Sequence, residues 1–119
     1  KLKIHRIVAA TDPGHAVNPQ QIEAQVEGSI VYGLSALLYG EITVNNGRIE
    51  QGNFDTYPML LIPEMPRVEV ILMPSGDFWG GIGEPTTVIA APAVLNAIYA
   101  ATGKRIREVP LNNSNLKIT

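Results

Sequence analysis

A chain of 119 residues makes at most one domain, with room for a modest core but not for several substrate-binding layers. Its net charge of -2 argues against nucleic acid as a partner, and the absence of cysteine excludes disulfides, thiolate zinc sites and iron–sulfur ligation within the segment. Hydrophobic residues make up 45% of it, more than a small free-standing domain needs, so part of the apolar surface is expected to meet further chain, a partner or a second copy.

No run approaches the roughly 18 apolar residues of a membrane span, and Lys1 to Arg6 reads as a strand entered midway, not as a signal peptide. Lys3 to Thr11 is β-branched and increasingly apolar, which predicts a strand whose second half is buried on both faces. His5 lies in its polar half with no second ligand at metal spacing. Asp12-Pro13-Gly14-His15 is turn chemistry. Asn18-Pro19 then starts a helix, with Asn18 as N-cap and Gln21 placed to complete a capping box.

That helix is expected to reach about Tyr39, because Ile22, Val26, Ile30, Leu34 and Leu38 recur at four-residue spacing and Gly40 follows. A neighbouring stripe carries Gln25, Gly28, Ser29 and Tyr32, all small or hydrogen-bonding. The interior glycines, Gly28 and Gly33, each cost about 1 kcal/mol relative to alanine, so something approaches this face closely: another element of the fold, or a ligand.

Glu41 to Gln51 reads as a hairpin turning at Asn46-Gly47, and Gly52 to Pro66 as an irregular segment able to cover one side of a pocket. Arg67 to Met73 alternates as a strand. The loop after it carries Phe78 and Trp79 and runs into Gly80-Gly81-Ile82-Gly83-Glu84-Pro85. Glu84 falls at an N-cap position, where the helix dipole favours its charged form, while a dry surrounding made by Phe78 and Trp79 would oppose it. The motif is either a capped glycine turn or a placed general base.

A second helix follows from Thr86 to Thr102, thin with alanine, set off or kinked near Pro92 and stopped by Gly103. Arg105 to Leu111 is expected as a short final strand, and Asn112 to Thr119 as a tail. The elements predict an α+β fold: a mixed sheet with a central β-hairpin packed against two main helices, about 19–39 and 86–102, in a single domain spanning 1–119.

Taken together, Asn18-Pro19, Gln25-Val26-Glu27-Gly28 with Tyr32-Gly33-Leu34, Gly83-Glu84-Pro85, Ala91-Pro92-Ala93 and Ala100-Ala101-Thr102-Gly103 resemble the C-terminal part of the molybdopterin-binding subunit of the xanthine oxidase and aldehyde oxidoreductase family. The phrases Gly40-Glu41-Ile42-Thr43 and Asn53-Phe54-Asp55-Thr56-Tyr57-Pro58 are most similar to its bacterial isoquinoline 1-oxidoreductase β-subunit branch. The resemblance implies oxidation of aldehydes or N-heterocycles with water as oxygen donor and a pterin-bound molybdenum as electron acceptor. It implies Glu84 as the catalytic general base, and Gln25 and Gly83 as cofactor-binding residues, with no protein metal ligand. The family's acid is usually followed by two prolines, whereas Thr86 takes the second place here, a departure that touches helix entry alone.

The implied cofactor is molybdopterin, in its cytosine dinucleotide form for a bacterial branch. The implied partners are the rest of the molybdenum subunit, which carries the other cofactor loops, a separate iron–sulfur subunit or domain, and a small aromatic or aldehyde substrate. On this reading the chain alone is inactive and holds no molybdenum. Self-association through exposed apolar surface is a further expectation, and bacterial cytoplasm and periplasm both stay open as compartments. The competing reading is a non-catalytic α+β subunit or interaction domain that pairs with another chain.

Overall fold

The structure, a computed structural model, describes residues 2–114. Its elements are strand β1 (Arg6–Thr11), helix α1 (Pro19–Leu38), the short strands β2 (Val44–Asn45) and β3 (Arg48–Ile49), a 3-10 turn at Ile62–Glu64, strand β4 (Arg67–Leu72), helix α2 (Pro85–Thr102) and a 3-10 turn at Leu111–Asn113. The α+β class and both main helices are as expected. The strands, however, form two separate sheets and not one mixed sheet. β1 pairs with β4 in parallel, from Arg6 opposite Arg67 to Thr11 opposite Leu72, and β2 pairs with β3 alone.

The hairpin turns as its sequence dictates, with Asn46 at φ 50° and Gly47 at φ 77°. Its strands hold two residues each, and Val44 and Ile49 are exposed, so it stands out from the core. The sheet β1–β4 is also less covered than expected: Ala9 is buried, but Val8 is 48% exposed. Two strands with helix packing on one face leave the other face open.

Asn18 caps α1 by accepting from the Gln21 amide at 3.3 Å, and Pro19 occupies its first turn. The expected return bond from the Gln21 side chain does not form. Ile22, Val26, Ile30, Leu34 and Leu38 are all buried, in one cluster with Ala9, Leu37, Leu60, Val94, Ile98 and Leu111. The segment before β4 is fastened to α1 where the Leu60 amide donates to Ser35 Oγ at 3.0 Å.

α2 runs unbroken through Pro92 and ends at Gly103, whose φ of 69° and bond to the Tyr99 carbonyl at 2.8 Å make a left-handed stop. By length and composition it is apolar enough to cross a membrane, contrary to the expectation that no run approaches this; here its Thr86, Ala90, Val94 and Ile98 stripe is buried. No strand forms over Arg105 to Leu111. Arg105 folds back on α2, its guanidinium carbon 3.7 Å from the Tyr99 ring centre and its NH1 2.9 Å from Asn96 Oδ1, and Leu111 is drawn into the core. Of the expected tail, Asn113 reaches Glu41 at 2.7 Å, and residues 115–119 lie outside the described residues.

The helices cross at Gly33. A Cβ there would lie 2.6 Å from the Thr87 carbonyl oxygen and 2.8 Å from Ala90 Cβ, whereas one at Gly28 would meet nothing within 4 Å. The glycines of α1 therefore have different reasons. Gly33→Val is expected to destabilise the fold by about 1–3 kcal/mol through overpacking. Gly28→Ala should stabilise it by up to about 1 kcal/mol through helix propensity. Urea denaturation of the two variants should move the midpoint in opposite directions.

Candidate functional site

Beside the helix crossing lies an open cleft of about 540 Å³. α1 supplies Gln25, Gly28, Ser29 and Tyr32, which share one face because they stand three and four residues apart. The start of α2 supplies Gly83, Glu84, Thr87 and Val88. Gln25 and Glu84, far apart in the chain, thus border one cavity.

Glu84 occupies the cap position of α2 through its backbone, its carbonyl accepting from the Thr87 amide at 3.0 Å, but its side chain caps nothing. The carboxylate is left exposed at the positive end of the helix. Gly83 is held from α1, where Ser29 Oγ donates to its carbonyl at 2.9 Å. Sequence reasoning placed Ser29 on the polar stripe but did not foresee this bond; the signal available was a small hydroxyl residue one turn after Gln25.

Phe78 and Trp79 do not dry the cleft. Phe78 is 90% exposed, and Trp79 packs on His15 with ring centres 5.1 Å apart. The cause is a clasp between the loops that follow β1 and β4. Asp12 Oδ1 accepts from the Gly14 amide at 2.8 Å and from the Ser75 amide and hydroxyl, each at 3.1 Å. The Gly76 amide donates to the Gly14 carbonyl at 2.8 Å and the Gly80 amide to the Pro13 carbonyl at 3.1 Å. Gly14, at φ 78°, has no room for a Cβ against the Phe78 carbonyl.

The segment from Gly52 to Pro66 lines a different cavity, of about 380 Å³, with residues 2–5, Leu34, Leu38 and Tyr39. There the Tyr39 hydroxyl donates to Glu64 Oε1 at 2.7 Å, and burial, with this carboxylate beside it, pushes the phenol up to about 12.

The Glu84 cleft has a side-chain amide and an open backbone wall to offer a ligand. The Gln25 amide, a donor and an acceptor, has no hydrogen-bond partner among the described residues, and Gly28 and Gly83 leave the adjoining wall open to close approach. Among the described residues no group of three His, Cys, Asp or Glu could hold a metal ion. A metal at this cleft would have to arrive with other ligands.

The molybdopterin cofactor-binding domain family matches residues 1–66, more than half of the chain and including Gln25. The chain is 33% identical over 110 residues to the isoquinoline 1-oxidoreductase β-subunit of Brevundimonas diminuta, covering 92% of this chain and 14% of that subunit. It is 33% identical over 111 residues to a membrane-bound aldehyde dehydrogenase (pyrroloquinoline-quinone) of Gluconacetobacter polyoxogenes, covering 93% of this chain and 14% of that protein. Among solved structures, Cu,Mo-CO dehydrogenase superposes with a TM-score of 0.76 at 25% identity, over 89% of this chain and 15% of that one. The chain therefore spans about 14% of the length of these curated relatives.

The Asp12 clasp makes the site-bearing loop sensitive to acid. Its backbone bonds from Ser75 and Gly14 hold the Asp12 carboxyl below its ordinary value of 3.8. A depressed folded value means that the stabilisation is present above the unfolded value and lost as pH falls through the folded one. Asp12→Asn should therefore cost stability near neutral pH and remove part of the decline below about pH 4, read from urea midpoints across pH.

Proposed function

The chain belongs to the molybdopterin cofactor-binding family of xanthine oxidase-type molybdenum subunits, and from that premise we propose that its cleft is one wall of a molybdenum hydroxylase active site with Glu84 as general base. The observation that carries the reading is the shared border of Gln25 and Glu84 on one cavity. The reaction is oxidation of a C–H bond to C–OH in an aldehyde or N-heterocycle, with water as oxygen donor. This substrate class is supported by the names of the isoquinoline and aldehyde-oxidising relatives. When bound, the cofactor supplies the acceptor for the substrate's two electrons.

Glu84 takes the proton from the attacking oxygen on its free carboxylate, which no cap bond occupies. Gln25 offers its amide to the polar edge of the pterin, and Gly83 admits the cofactor close to the backbone. The pterin carries cytosine dinucleotide on this reading, and residues 1–119 form a single piece of the cofactor-binding domain. On this reading electrons would leave through an iron–sulfur subunit or domain. The exposed apolar side chains Val88 and Ile89 on α2 are assigned to contact with the rest of the subunit in preference to a second copy. On this reading the segment alone, spanning about 14% of the length of its curated relatives, is inactive and holds no molybdenum.

In the assembled enzyme Glu84→Gln should lower kcat by about 10²–10⁴-fold while molybdenum content is unchanged. Gln25→Ala should instead lower the molybdenum retained after purification, measured by elemental analysis. Near-normal turnover in Glu84→Gln would refute the assignment of the base. Stoichiometric molybdenum in purified 1–119 would refute the claim that the segment holds none.

A further inference from the structure

Gln25, Ser29 and Gly33 follow one another at four-residue spacing, so a single stripe of α1 carries an amide with no partner among the described residues, a buried hydroxyl and the notch that receives α2. Ser29 is 5% exposed, and its hydroxyl reaches the carbonyl of the residue immediately before Glu84. One turn further along α1, Gly33 admits the Thr87 carbonyl, three residues after Glu84. The acid is therefore bracketed by two contacts from the helix that bears Gln25.

The Ser29 bond is the nearer of the two to the acid in the chain, on the residue immediately before it. Upstream of Glu84 the Asp12 clasp ends at Gly80, and neither Gly81 nor Gly83 would place a Cβ within 4 Å of anything. Glycines lose the most conformational freedom on ordering, and between Gly80 and Glu84 the half-buried Ile82 packs on the core while Gly81 and Gly83 add no side-chain contacts. Ile82 anchors the middle of this stretch, and the Ser29 hydroxyl adds the restraint on Gly83, the residue next to Glu84.

We propose that Ser29 is a positioning residue, which fixes Glu84 opposite Gln25 through its hydrogen bond to the Gly83 carbonyl. The inference rests on the reading of Glu84 as the general base, and Ser29 itself touches no reacting atom. Loss of the hydroxyl leaves the Gly83 carbonyl at the rim of an open cleft, where water can satisfy it, so the fold survives while the base loses its fixed place.

The test uses the assembled enzyme. Ser29→Ala should lower kcat about ten- to a hundredfold with KM and molybdenum content unchanged, and should speed amide hydrogen exchange in the peptide spanning Gly83 to Thr87. Ser29→Thr keeps the hydroxyl and should recover both readouts. Thr102→Ala removes a comparable hydroxyl-to-carbonyl bond, 2.7 Å to Ile98 at the far end of α2, and should change neither. If Ser29→Ala does not assemble, Ser29→Cys, with a weaker donor, gives the same comparison. Wild-type kcat and exchange in the Ser29 variants, with Glu84→Gln inactive, overturns the positioning role. An active Glu84→Gln overturns the base assignment instead, while the exchange readout still reports on the bond.

Discussion

The cleft exists because α2 can cross α1 at van der Waals distance over Gly33. With any side chain there the Thr87 carbonyl and Ala90 would have to retreat, and the start of α2 would move with them. Close approach at this point lets Ser29 reach Gly83 one turn earlier on α1. Beyond that α1 runs past the start of α2, and Gln25 and Gly28 line the open cleft. A glycine inside a helix costs about 1 kcal/mol in propensity, so its placement at Gly33 makes sense only where close packing returns more than that.

The strands serve the same end from the other side. Parallel pairing puts the C-terminal ends of β1 and β4 at one edge, so the loops that leave them meet. Asp12 and Ser75 join those loops, and the chain that continues from the clasp arrives at Glu84. The acid is thus delivered by a loop anchored to the sheet and received by a helix anchored to α1. The remaining surface is incomplete as a core: Val8 and Ile71 on the sheet and Val88 and Ile89 on α2 are all exposed. That pattern suits a chain spanning about 14% of its relatives' length, in which further protein would cover these faces.

Much of this was legible in the sequence where the determinant is local. The four-residue repeat from Ile22 to Leu38 predicts the buried stripe of α1, Asn18-Pro19 its start, and Asn46-Gly47 the hairpin turn. The placement of Gln25 and Glu84 on one cleft followed from family resemblance, not from periodicity. What escaped was long-range. Whether Trp79 turns toward Glu84 or His15 is decided by Asp12 and Gly14 on another loop, and nothing within residues 74–83 encodes it. Arg105 to Leu111 has strand-like residues, but Tyr99 and Asn96 capture Arg105 and the core takes Leu111. The division into two sheets reflects a hairpin too short to pair with anything but itself.

The central claim is that Gln25 and Glu84 face one bound cofactor from the two helices that wall this cleft. A crystal structure of the complete, cofactor-loaded subunit tests it most directly. The pterin is expected within hydrogen-bond reach of the Gln25 amide, with the Glu84 carboxylate turned toward the metal. A cofactor seated instead in the groove between β1 and α2, with Glu84 directed to solvent, would contradict it.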